Sequence, residues 1–180
     1  MRGFTVVETM VAIAITMLLS TMLLTFNRST EKQIALFKDQ AVVIGVLNRA
    51  KALAIEKFNQ NINTCAFGVH FKNDSQDFFI FQDLLETEGG VPIFGCRNLD
   101  TDEFYSNHQF DEGEQTEAFS LDNRLKFSLS GDLDIVFIPP EISVKSSEAD
   151  GLPTEIKIET LDGSKSALVK VEEAGQLIVQ

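Results

Sequence analysis

The chain has 180 residues, 44% hydrophobic and 23% charged, enough for one domain with an appendage. A formal net charge of −12 disfavours a broad basic surface for nucleic acid. Two distant histidines, His70 and His108, and two cysteines, Cys65 and Cys96, show no metal-ligand spacing, and no P-loop, nucleophile elbow or metalloprotease signature is present.

The apolar residues are unevenly spread. Phe4 to Asn27 contain a single charge, Glu8, and Met10 to Phe26 read MVAIAITMLLSTMLLTF with no charge, Gly or Pro. A run of this length spans a bilayer core as a helix. Its only polar interruptions are Thr and Ser, which can bond back to their own helix. A cleavable secretory signal has a shorter apolar region and a small-x-small site. Here the run ends in Asn27-Arg28, and the helix is expected to continue.

Beyond it, Ile34, Phe37, Ala41, Ile44, Leu47, Ala50, Ala54 and Phe58 recur at spacings of three and four, a helical stripe. Glu31, Lys32, Lys38, Asp39, Arg49, Lys51, Glu56 and Lys57 are placed largely off it. One helix from about Thr5 to Phe58 is expected, about 80 Å long at 1.5 Å per residue.

From Cys65 the period changes. CAFGVHF and DFFIFQDL read as aromatic-rich strands about the turn KNDSQ, with Phe78, Phe79 and Phe81 as core residues and His70 at a surface or edge position. VPIFGC is a short strand or a loop. Leu99 to Asp122 carries Asp100, Asp102, Glu103, Asp111, Glu112, Glu114, Glu117 and Asp122 with no Lys or Arg, and reads as a solvated loop with a short strand near Glu117–Leu121. Its DTDE and DEGE offer hard oxygen ligands but not EF-hand spacing, so no metal site is assigned. RLKFSLS and GDLDIVFI follow as strands carrying Phe127 and Phe137, then TEIKIETL, the turn at Asp162-Gly163, KSALVKVE and GQLIV. The pair around Asp162-Gly163 is the clearest hairpin. The expected class is α+β: a long helix laid on a mostly antiparallel sheet.

In an exported domain, Cys65 and Cys96 are expected to form a disulfide closing a loop of about 30 residues, worth about 3–4 kcal/mol. In a reducing compartment they are two buried thiols.

The opening MRGFTVVE followed by the uncharged run resembles the class III signal of type IV pilin-like proteins. The resemblance implies cleavage between Gly3 and Phe4 by a membrane-embedded prepilin peptidase, and N-methylation of Phe4. It also implies that Glu8 pairs with the terminal amine of a neighbouring subunit during assembly. The implied organisation is a leader at 1–3, shorter than usual, a transmembrane and assembly helix at 4–27, its amphipathic continuation at 28–58, and an extracytoplasmic sheet domain at 59–180. NRAKALAIE (Asn48–Glu56), DIVFIPPE and the terminal GQLIV look like the H-type minor pseudopilins of type II secretion and related minor pilins. A subunit of this kind is a single-pass inner-membrane protein with a cytoplasmic N-terminus before it enters a filament. Its partners are other pilin or pseudopilin subunits, the peptidase and an inner-membrane assembly platform, and it is not an enzyme and needs no cofactor. Some relatives bind DNA through C-terminal basic residues, but Ser164–Gln180 offers only Lys165 and Lys170 against Glu172 and Glu173. The alternative reading is an uncleaved signal-anchored extracytoplasmic binding domain.

Overall fold

A computed structural model describes residues 5–57, 64–84, 108–139, 142–147 and 152–179, with backbone alone at 24–29. One helix, α1, runs unbroken from Val6 to Lys57. Among the described residues nine strands follow: β1 Thr64–Phe71, β2 Asp77–Leu84, β3 Gln115–Ser120, β4 Leu125–Phe127, β5 Leu133–Ile138, β6 Ser143–Ser146, β7 Thr154–Thr160, β8 Ser166–Val171 and β9 Leu177–Val179.

The strands form two sheets, where the sequence suggested one. The larger has the order β3-β2-β1-β5-β6 and the smaller β4-β7-β8-β9, and every pairing in both is antiparallel. The class is α+β, with the second half of α1 packed on both sheets. In β1, Phe67, Val69 and Phe71 face the main core; in β5, Leu133, Ile135 and Phe137 do the same. Ile156 and Ile158 of β7, and Val169 and Val171 of β8, enter it from the smaller sheet. Alternate residues point the other way, because successive side chains of a strand leave opposite faces. On that outer face of the larger sheet, Ala66, Phe81, Val136 and Ile138 form a second apolar cluster with Phe79 and Phe110 packed against it.

The helix meets the core through Leu36, Val43, Leu47, Ala50 and Ala54. The expected stripe is therefore right in its second half and wrong in its first: Ile34 and Phe37 are 62% and 59% exposed, and Ala41 is exposed. The cause is geometric. Each step of three residues falls about 60° short of a full turn. The succession Ala41, Ile44, Leu47, Ala50 takes three such steps and crosses from the outer face to the inner one. Asp39, placed off the stripe, is buried, as is Gln40. Asp39 Oδ2 accepts the Asp122 amide, and Gln40 Nε2 donates to the Leu168 carbonyl at 2.8 Å. Buried polar groups on a helix face survive because each has such a partner.

Other expectations change in detail. RLKFSLS contributes only Leu125–Phe127, and β6 comes from a stretch not read as a strand. The hairpin joining β7 and β8 turns through four residues, 161–164, instead of two: Thr160 N bonds to the Lys165 carbonyl, and Gly163 N to the Thr160 carbonyl. Gly163 has φ +66°, which a side chain resists, so this glycine sets the turn. VPIFGC and Phe58 lie outside the described residues.

Candidate functional site

The N-terminal half of α1 carries the residues to which the sequence assigns a role. Gly3 and Phe4 lie outside the described residues. At the first turn, Thr5 and Glu8 close on each other. Thr5 N donates to Glu8 Oε2 at 2.9 Å, Thr5 Oγ1 donates to the same oxygen at 3.0 Å, and Glu8 N donates to Thr5 Oγ1 at 3.3 Å. This reciprocal pattern is a capping box, which satisfies amides that the start of a helix leaves unbonded. The Thr-x-x-Glu spacing ahead of an apolar run was readable in the sequence, and Thr5 is a residue that reading missed. Glu8 thus has a local partner within its own helix end.

From Val6 to Leu23 the helix has a mean hydropathy of 2.0 and no part of it is buried against the rest of the chain. Among the described residues it is the one helix long and apolar enough to cross a membrane; a signal sequence would pass the same test. Its hydroxyls are turned inward on the helix itself. Thr9 donates to the Val6 carbonyl at 2.8 Å, Thr16 to those of Ala12 and Ile13, Ser20 to that of Thr16 at 2.7 Å, and Thr21 to those of Met17 and Leu18. Hydroxyls bonded in this way are compatible with hydrocarbon, where an unbonded donor is costly.

Past the span, four contacts tie the helix to the smaller sheet in chain order. Lys32 pairs with Asp162, Lys165 Nζ donates to Gln33 Oε1 at 3.1 Å, Gln40 bonds to Leu168, and Lys51 Nζ reaches the Gly175 carbonyl at 3.3 Å. Strand β8 therefore runs alongside the helix. The Lys32 ammonium, with the Thr160 and Ser164 hydroxyls, holds the Asp162 carboxyl well below the usual carboxylate range. On the other flank, Arg49 bonds to Glu117 at 2.7 Å; beside the hairpin, Arg124 lowers the Asp122 carboxyl.

The outer face of the larger sheet differs most from expectation. His70 is 8% exposed on the central strand β1, neither surface nor edge. Its Nδ1 lies 2.7 Å from Asp134 Oδ1, and its ring stacks on Phe79 at 4.7 Å and lies 5.0 Å from Phe110. Phe110 N donates to Asp134 Oδ2. His108 Nδ1 lies 2.9 Å from Asp83 Oδ2, both buried. Glu114 accepts the amides of Leu84 at 2.8 Å and Asp111 at 3.0 Å. Residues 108–114, part of the segment read as a solvated loop, thus cover the sheet. Burial raises the Glu114 carboxyl, with Asp83 and Asp111 adding to the effect, against the two amides that lower it. Six further residues of that segment, 115–120, form β3. Its carboxylates at 100, 102 and 103 lie outside the described residues, among which no cluster of metal-ligand type is present.

Cys65 is buried at the start of β1, and Cys96 lies outside the described residues. Compared with known proteins, the chain matches no family model, no curated protein and no solved structure.

Proposed function

We propose that this chain is a structural subunit of a type IV pilus-like or type II secretion filament, a minor pilin or pseudopilin. It is held in the inner membrane by its N-terminal helix, with the sheet domain outside the cytoplasm, until it is assembled. The proposed processing is cleavage between Gly3 and Phe4 and N-methylation of Phe4, with Glu8 then meeting the terminal amine of an adjoining subunit. Cys65 and Cys96 are proposed to pair. The work proposed is assembly, not catalysis.

One observation carries this reading: a single unbroken helix whose first half is apolar and uncovered, with one acid in its first turn, and whose second half is packed on antiparallel sheets. A carboxylate in hydrocarbon costs about 2.5 kcal/mol or more, and the charge on a cleaved terminus would offset part of that.

The test is the N-terminal mass of protein extracted from the membranes of cells that hold the peptidase. The expected chain begins at Phe4 and is heavier by one CH2, a methyl group having replaced a hydrogen of the terminal amine. Retention of Met1 or Arg2 would overturn the proposal in favour of an uncleaved anchor. Non-reducing digestion of the same sample reads the Cys65–Cys96 pairing.

A further inference from the structure

We propose that the tip of the β7–β8 hairpin is a membrane foot: Leu161, flanked by Arg124 and Lys165, rests in the lipid headgroup layer beside the point where α1 leaves the bilayer. The inference rests on the membrane-anchored reading of Val6–Leu23.

The placement follows from the contacts between hairpin and helix. Asp162 is paired with Lys32, and Lys165 with Gln33, so the tip lies level with this part of α1. Lys32 is six residues beyond Phe26, the last apolar residue of the run, or about 9 Å along the helix axis. A headgroup layer is about 5–8 Å deep, the difference between total and hydrocarbon thickness shared between two leaflets. Lys32 and Gln33 thus stand at the outer edge of that layer, within the length of a side chain. A side chain projecting from this height reaches the lipid surface.

What the tip presents fits that surface. Leu161 is 58% exposed, although its amide is fixed by a 2.9 Å bond to the Arg124 carbonyl. A single exposed leucine is ordinary on a protein surface; this one opens the 161–164 turn, near the end of the apolar run and beside two basic residues. Its charged neighbours do not repel an anionic surface, despite the overall −12. Lys32 and Asp162 neutralise each other, Arg124 is set against Asp122 and Glu31, and the Lys165 ammonium is held by an amide oxygen instead of a carboxylate. A cation beside a leucine suits the boundary between lipid phosphate and acyl chain.

The chain contains no tryptophan, so single substitutions supply unique probes. The full-length protein would be reconstituted in bilayers of phosphatidylcholine and phosphatidylglycerol. The phosphatidylcholine would carry bromines either near the headgroup end of the acyl chain or near its methyl end. Leu161→Trp is expected to lose emission to the shallow bromines and to shift to the blue. Leu18→Trp, within the span, is expected to be quenched by the deep bromines, and Ile55→Trp, far along the helix, by neither set. Quenching at Leu18→Trp without any at Leu161→Trp would overturn the foot and leave the anchor standing. Quenching at neither would remove both. A Leu161→Trp probe indifferent to lipid that shifts only when subunits associate would assign the tip to a neighbouring copy, and that too overturns the proposal.

Discussion

Gly68 sits in the middle of β1 with the Phe81 ring across it. A Cβ at this position would lie 2.5 Å from two ring carbons and 3.0 Å from the Ile135 carbonyl. The close approach needs a residue without a side chain, and the ring seals the outer apolar cluster in the space this leaves. Gly68→Ala should therefore destabilise the domain by about 1–3 kcal/mol, as overpacking does. Urea unfolding of the full chain in detergent would read it as a lower midpoint at unchanged slope. Asp134 makes a different kind of demand, since its two oxygens serve His70 on β1 and the Phe110 amide on the covering segment. Asp134→Ala leaves both donors facing a void, and a loss of roughly 2–4 kcal/mol is expected from orphaned buried groups. Faster amide exchange at Phe110 would distinguish this from a general loss of packing.

The covering segment and the β7–β8 hairpin are both elements fastened by carboxylates, with opposite responses to acid. Asp162 is depressed by Lys32, and Asp122 by Arg124. Groups lowered in the folded state contribute stability above their unfolded value, near 4, and lose it as pH falls through the folded one. Docking of residues 161–165 on the helix should thus weaken below about pH 4, seen as faster amide exchange across the turn. Glu114 is raised by burial, so its contribution favours the acid side and declines as pH rises from the ordinary carboxylate value through the folded one. In the same experiment, protection of the Leu84 and Asp111 amides should not fall in step with that of the hairpin. Parallel loss at both sites would mean that neither element opens independently.

At the scale of the whole molecule, α1 has two apolar faces in its second half and, among the described residues, only one of them is covered. Leu47 is fully buried, and Leu47→Ala should cost about 2–5 kcal/mol. Phe37 is exposed, so Phe37→Ser should leave stability within about 0.5 kcal/mol. Under the proposed function it should nonetheless reduce recovery of the subunit in sheared filaments. Unchanged recovery would remove this face from the assembly surface. The same two faces explain what could be read in advance. The helix was legible because no Pro or Gly-rich break interrupts its pattern, and β7 and β8 because Ile156, Ile158, Val169 and Val171 alternate cleanly with polar neighbours. Which helix face turns inward was not legible, since apolar residues occupy both and the sheets alone decide. His70 was misread for a related reason: its burial depends on Phe110 folding back from a stretch whose acidity suggested water on all sides. Glu8 and Thr5 are legible as a capping pair by their Thr-x-x-Glu spacing, which the charge of Glu8 in an apolar run overshadows.

The ties between the smaller sheet and α1, at Lys32, Gln33, Gln40 and Lys51, are spread along one direction. A pull along the rod, as on a cable strained at its anchorage, therefore loads them all at once instead of tearing them in sequence like a zip. Resistance to rupture under tension is set by the barrier to unfolding, not by equilibrium stability. A joint stressed in shear along its whole length makes that barrier high, so the head would stay on its stalk under loads that would strip a domain attached at one end.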